Sequence, residues 1–226
     1  MIAWLWVERE ETVSRYEDGT VKSAAFHVNY ELLNFTRFGR IDKGSFSAGW
    51  QPGLPGPDIV SLTSPSCGSG YVVLELPDLK GQRIGTYLMN EVVGWVKQWP
   101  DAMVSPVRLL TVQAHGDNKE RRNKFYERFN LVFDYEDEGT QEAGISRPMP
   151  ASELVQADAW RKNIEEMDAR GLMREFLHEN DCLRSDLKWA RQDSSHQSEL
   201  IAFTRRHPIR FAMAQLWHNG ITWLRR

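Results

Sequence analysis

The chain has 226 residues and a formal net charge of −3, enough for one large domain or a domain with an appendage, and with no overall attraction to nucleic acid or an anionic membrane. Apolar residues make up 41% and charged residues 26%, and nine Trp, ten Phe and six Tyr demand burial, so disorder throughout is excluded. The longest apolar runs, such as Ile2–Val7, fall far short of the ~20 residues that cross a bilayer, and no basic segment precedes that run, so neither a membrane span nor a signal peptide is expected.

The first half reads as strands. Ile2–Glu8 is short, apolar and aromatic, Asp18-Gly19 signals a turn, and Val21–Leu33 follows with β-branched and aromatic residues. Phe35, Phe38, Ile41, Phe46 and Trp50 mark a second, irregular strand region over Asn34–Trp50. Three Pro and two Gly make Gln51–Asp58 a loop. Ile59–Leu62 is a short strand candidate, Thr63–Gly70 is Ser/Gly-rich, and Tyr71–Leu76 is the strongest strand in the sequence. The period then changes. From Gly85 to Trp99, Leu88, Val92, Trp95, Val96 and Trp99 fall on one helical face, and Pro100 ends that helix. Val107–Gln113 reads as a buried strand, Asp117–Phe129 as a polar helix and Leu131–Tyr135 as a strand, an α/β alternation that predicts a mixed sheet. Glu136–Pro150 reads as a linker or long loop. The expected division is therefore an α/β domain over residues 1–150 and a helical extension over 151–226. In the extension, Ser152 caps a helix from Glu153 with the stripe Leu154, Ala157, Trp160, Ile164 and Met167. Gly171 breaks that helix, and Leu172–Ala190 and Glu199–Trp217 are further helices, the last interrupted at Pro208.

Two cysteines, Cys67 and Cys182, cannot frame a disulfide scaffold or a four-ligand zinc site, and are expected as reduced thiols in a cytoplasmic protein. Past Glu199 the chain has five arginines and no acid. Arg205 to Arg226, with Phe211, Trp217 and Trp223, could grip nucleic acid. The preferred reading is an amphipathic helix packing on the domain with Arg at its solvated edge, because aromatic residues with Arg are also how interfaces look. Nine Trp and a helical extension make a homodimer plausible.

The chemistry lies in Tyr71–Tyr87. A buried strand passes through Pro77 into a loop with Gly81 and Gly85 and then directly into a helix. Glycines let a backbone approach an anion, the first helix amides have no internal partner, and a pyrophosphate there gains ~0.3–1 kcal/mol from the helix dipole. Lys80 and Arg83 add cations beside it. The loop is neither a P-loop nor a dinucleotide fingerprint. It resembles the acetyl-coenzyme A loop of the GNAT N-acetyltransferase superfamily, whose pattern is Arg or Gln, two residues, Gly, one residue, then Gly or Ala. Here those positions are Lys80, Gly81, Gln82, Arg83, Ile84 and Gly85, with Lys for the first residue and Arg83 for the first Gly. That Arg must either hold negative φ or bear strain, with its side chain pointing away from the cofactor. A second stretch is similar to the family's late helix: Phe125-Tyr126-Glu127-Arg128 is followed by Phe129 and Asn130, where Asn takes the place of a C-terminal Gly.

The resemblance covers about residues 71–135. The first 70 residues lack the family's two-helix segment, and 151–226 have no counterpart in its minimal fold. It implies a GNAT-like mixed twisted sheet flanked by helices and an acetyltransferase that uses acetyl-CoA to acetylate an amine of an unidentified acceptor by direct attack in a ternary complex. It also implies site roles. The backbone of Leu74, Glu75 and Leu76 pairs with the pantetheine arm, and the amides from Gln82 through Arg83, Ile84 and Gly85 to Thr86 hold the pyrophosphate. Tyr126 protonates the departing thiolate, and Asn118 contacts the cofactor. No metal is implied. The general base is not readable; Glu75, His115 and Asp117 are candidates. His27 reads as a satisfied core histidine, and Cys67 lacks the partners of a nucleophile. The rival readings are a catalytically weak GNAT-like binding or regulatory module, and an enzyme of this type acting on a nucleic-acid base or tRNA.

Overall fold

The computed structural model describes residues 2–34, 43–53, 55–68, 72, 74, 76, 79–210 and 212–213. It has an α/β fold with a mixed five-stranded sheet and a long C-terminal helix, and it separates into two compact units, Met1–Glu165 and Glu166–Arg226.

In the first unit, β1 (Leu5–Arg15), β2 (Val21–Leu32), β3 (Lys43–Gln51) and β4 (Ile59–Ser61) pair antiparallel in sequence order, and β5 (Met103–Val104) adds to β4 in parallel. Asp18 closes the first hairpin by accepting from the Thr20 amide and hydroxyl. A parallel pair needs a crossover, and helix α1 (Ile84–Val96) lies within it. The apolar period of α1 has a physical target. Trp95 stacks on Phe26 of β2 at 5.4 Å and meets Trp99 edge-on at 4.7 Å, and Trp99 stacks on Trp50 of β3 at 5.4 Å. Among the described residues strand β1 pairs only with β2, and it is exposed and charged (Glu8, Arg9, Glu10, Glu11), which blunts a sheet edge.

A second, three-stranded antiparallel sheet runs β6 (Arg108–Leu109), β8 (Gly144–Ser146), β7 (Phe133–Tyr135), with α2 (Asn118–Glu127) between β6 and β7 in sequence. Two expectations change here. Only Arg108 and Leu109 of the expected strand Val107–Gln113 pair; Thr111–Gln113 turns as a 3-10 helix that leaves Val112 73% exposed. Glu136–Pro150 is no linker, because it supplies the middle strand β8, where the buried Ser146 accepts from the Val107 amide at 2.9 Å. Of the expected strand Tyr71–Leu76, Tyr71, Val73 and Glu75 lie outside the described residues. Val72, Leu74 and Leu76 carry no strand pairing, although Leu76 is buried in the core. In the region Asn34–Trp50, residues 35–42 lie outside the described set.

The first unit extends past residue 150. Residues 151–165 form no α-helix: 3-10 turns at Ala151–Glu153 and Ala159–Lys162 flank extended chain, and Ala151, Leu154 and Trp160 are buried in the core. The 151–226 boundary expected from the sequence thus contrasts with a division between Glu165 and Glu166.

The second unit is dominated by α3, Ala169–Arg206, 38 residues without a break. Gly171 does not interrupt it; its amide donates to the N-cap Asp168 carboxylate at 2.8 Å. The helices expected at Leu172–Ala190 and at the start of Glu199–Trp217 are therefore one, and α3 ends before Pro208. Phe211, Trp217, Trp223, Arg225 and Arg226 lie outside the described residues. Among the described residues no helix is long and apolar enough to cross a membrane.

Candidate functional site

From Leu79 to Thr86 the chain winds tightly into α1. The Leu79 amide donates to the Leu76 carbonyl at 3.0 Å and the Gln82 amide to the Leu79 carbonyl at 3.2 Å. Gly81 (φ 82°) and Arg83 (φ 65°, ψ 16°) both take the left-handed conformation, so Arg83 holds the backbone shape that glycine favours and bears its strain, of order 1 kcal/mol. Its guanidinium donates to the Ala159 carbonyl, and Gln82 Oε1 accepts from Asn163 Nδ2 at 3.1 Å. Residues 159–163, with Trp160 packed edge-on against Tyr87 at 4.9 Å, therefore hold this loop.

The first turn of α1 has no capping side chain and no acid. Among the described residues the amides of Ile84, Gly85 and Thr86 have no acceptor, while that of Gln82 is taken. The expected anion cradle is thus Ile84 to Thr86, with the exposed Lys80 and Gly81 ahead of it, and Gln82's amide drops out. Gly85 is informative. A Cβ built there would meet Phe125 at 3.6 Å and Leu74 at 3.7 Å, ordinary contact distances. Nothing in the fold requires glycine at this position, although glycine weakens a helix by roughly 0.5–1 kcal/mol.

The second motif closes on the first. Phe125 faces Gly85, and Arg128 donates to Thr86 Oγ1 at 3.4 Å. Tyr126 is buried, with its ring 5.6 Å from Phe133, and its phenol hydrogen-bonds the backbone of Val72. Burial pushes the phenol up to about 12, against the pull of the nearby Arg122 guanidinium, so it carries its proton throughout the neutral range.

No protein-family model, curated protein or solved structure matches this chain.

The remaining candidates fall where other work occupies them. Asn118 begins α2; its amide group donates to the Gln113 carbonyl at 2.6 Å and its oxygen accepts from Arg121 at 3.0 Å, so it ties the 111–113 turn to the helix. His115 and Asp117 are exposed, and Asp117 pairs with Arg121 at 3.2 Å. His27 is half-buried and shares a 2.9 Å hydrogen bond with Ser47. Burial raises the Cys67 thiol to about 11, the opposite of an activated nucleophile. Glu75 lies outside the described residues. Asn130 has φ 69°, the left-handed C-terminal conformation expected of it, and donates to the Glu153 carbonyl at 3.0 Å. Among the described residues no His, Cys, Asp or Glu cluster is fit to hold a metal.

Two features had weak sequence signals. Arg122, buried on α2, donates to the carbonyls of Leu110 (2.8 Å) and Glu142 (2.9 Å), and Asn123 donates to that of Gln141 (3.1 Å), which fixes the helix against both neighbouring loops. Trp160, which props the loop, looked like one member of a helical stripe.

Proposed function

We propose that this chain is an N-acetyltransferase of the GNAT type, which transfers an acetyl group from acetyl-coenzyme A to an amine by direct attack in a ternary complex. One observation carries the reading. The two segments that resemble the family's motifs, some forty residues apart in sequence, meet with Phe125 on Gly85, Arg128 on Thr86 and the Tyr126 phenol at the Val72 backbone. Three amides without an acceptor among the described residues, a helix start without an acid and a glycine that the fold does not require suit a pyrophosphate with its pantetheine arm.

Acetyl-coenzyme A, when bound, supplies the acyl group, and the C–S bond breaks as the acceptor's C–N bond forms. A thiolate leaving from a site beside Val72 needs a proton, and a neutral phenol with a high pKa can give it. The low dielectric around Tyr126 holds that proton until a neighbouring anion develops. The acceptor amine's proton goes to a base or water chain.

Calorimetry with acetyl-coenzyme A and an acetylation screen over amine acceptors test the proposal. Tyr126→Phe should leave cofactor affinity nearly unchanged, cost about 1 kcal/mol of stability for one hydrogen bond, and lower kcat about 10²–10⁴-fold. Full activity in this variant would remove the acid role. Absence of coenzyme A binding by the wild type would remove the whole reading, whereas binding without transfer to any amine would favour a regulatory module.

A further inference from the structure

Helix α3 buries none of its 38 residues, yet its sequence is strongly patterned. Five heptads fit between Ala169 and Thr204. Position a holds Met173, Asn180, Leu187, Ser194 and Ile201, and position d holds Ala169, Phe176, Leu183, Ala190, Gln197 and Thr204. Met173, Leu183, Leu187 and Ile201 are each more than half exposed. Seven of these eleven positions are apolar, and their alternate spacing of three and four residues is the 3.5-residue period of a left-handed coiled coil.

The flanks decide the partner. Position g carries Glu179, Asp186 and Asp193; position e carries Arg184, Arg191 and Arg205. None of the acids at g, nor Arg184 or Arg191, forms an ion pair among the described residues. In a parallel pair of identical helices, each g residue faces the e residue five positions on in the other chain. Glu179 then meets Arg184 of the partner subunit, and Asp186 meets Arg191 of the partner subunit. The next pairs out are also compatible: Leu172 faces Leu177 of the partner subunit, and Asp193 faces Ser198 of the partner subunit. An antiparallel pair would set acids against acids and arginines against arginines. Asn180, at an a position, adds a polar pair that favours two strands in one register at some cost in stability. The fourth heptad, with Ser194 and Gln197, is the weakest part of the seam.

We propose that α3 is a parallel, two-stranded coiled-coil interface with a second copy of this chain. The inference is independent of the acetyltransferase reading.

Light scattering on the 226-residue chain at moderate salt should give twice the 26.2 kDa of one chain. The double variants Arg184→Glu/Arg191→Glu and Glu179→Lys/Asp186→Lys each turn four attractive contacts of the dimer repulsive. Each should weaken the dimer about 10²-fold, and an equimolar mixture should recover it as a heterodimer. A monomeric wild type, or variants that fail to restore each other, would overturn the proposal. Orientation has its own readout, which does not depend on those variants folding. In a Cys67→Ser/Cys182→Ser background, single-cysteine chains Met173→Cys and Ile201→Cys should each oxidise to covalent dimers. Crosslinking only when the two chains are mixed would mean antiparallel helices and overturn it.

Discussion

Gly85→Ala separates a glycine kept for the fold from one kept for a ligand. The added methyl lies 3.6 Å from Phe125 and 3.7 Å from Leu74, so it makes ordinary contacts and displaces nothing. Position 85 is the second residue of α1, where replacing glycine by alanine gains up to ~0.5–1 kcal/mol. For a domain of this size that raises Tm by about 2–4 °C. The same methyl narrows the gap between the loop and the pair Leu74 and Phe125, and it stands beside the free amides of Ile84 and Thr86. Losing one charge-assisted hydrogen bond costs roughly 1.5–3 kcal/mol, so acetyl-coenzyme A affinity should drop at least about tenfold. Scanning calorimetry and titration calorimetry on one preparation read both quantities. A variant that is less stable would mean the glycine is structural. A stable variant with unchanged affinity would mean no ligand uses the loop, and Gly85→Glu, which adds a like charge, should then also bind normally.

Three further outcomes follow from the same geometry. Arg83→Ala keeps the left-handed strain and loses the bond to the Ala159 carbonyl, whereas Arg83→Gly loses the bond and relieves the strain; urea unfolding should find the glycine variant about 1 kcal/mol more stable than the alanine variant, and equality would refute a strained φ of 65°. The Cys67 thiol and Tyr126 phenol hold their protons more tightly folded than unfolded, with values raised from 9.0 to about 11 and from 10.0 to about 12. The stability they contribute is complete below about pH 9 and is lost as pH rises through 11 to 12, so Cys67→Ala should flatten the first part of that decline; an unchanged slope would sink the assignment. In the native protein Cys67 should react with iodoacetamide at pH 8 far more slowly than the exposed Cys182, as mass spectrometry of the two peptides would report.

Long apolar periodicity was legible where it served a single packing face. Helix α1 could be read from Leu88, Val92 and Val96, which are all buried in the core, and from Pro100 just beyond it. Asn130 could be read because few residues tolerate a left-handed turn. The sequence misleads over 153–167, where Leu154 and Trp160 are pegs of an irregular chain rather than a helical stripe. Spacing alone does not distinguish the two, since a 3-10 turn and extended backbone can deliver similar intervals. Strand β8 was hidden because three residues, Gly-Ile-Ser, carry no alternation long enough to see. In the candidate site, the entry of the loop into α1 and the burial of Tyr126 on α2 followed from residue types. The grip of residues 159–163 on the loop was not, because it runs through the Ala159 carbonyl, which any residue would offer.

That grip has a consequence for the order of events during synthesis. Every residue resembling a motif has been joined to the chain once Asn130 is added, but the loop's supports, Ala159, Trp160 and Asn163, follow some thirty residues later. A nascent chain, or a fragment cut at Pro150, carries the whole signature and lacks the clamp that holds Gln82 and Arg83 in place. Residue 165 is the earliest point at which the first unit can close, and fragments meant to capture it should end there or later.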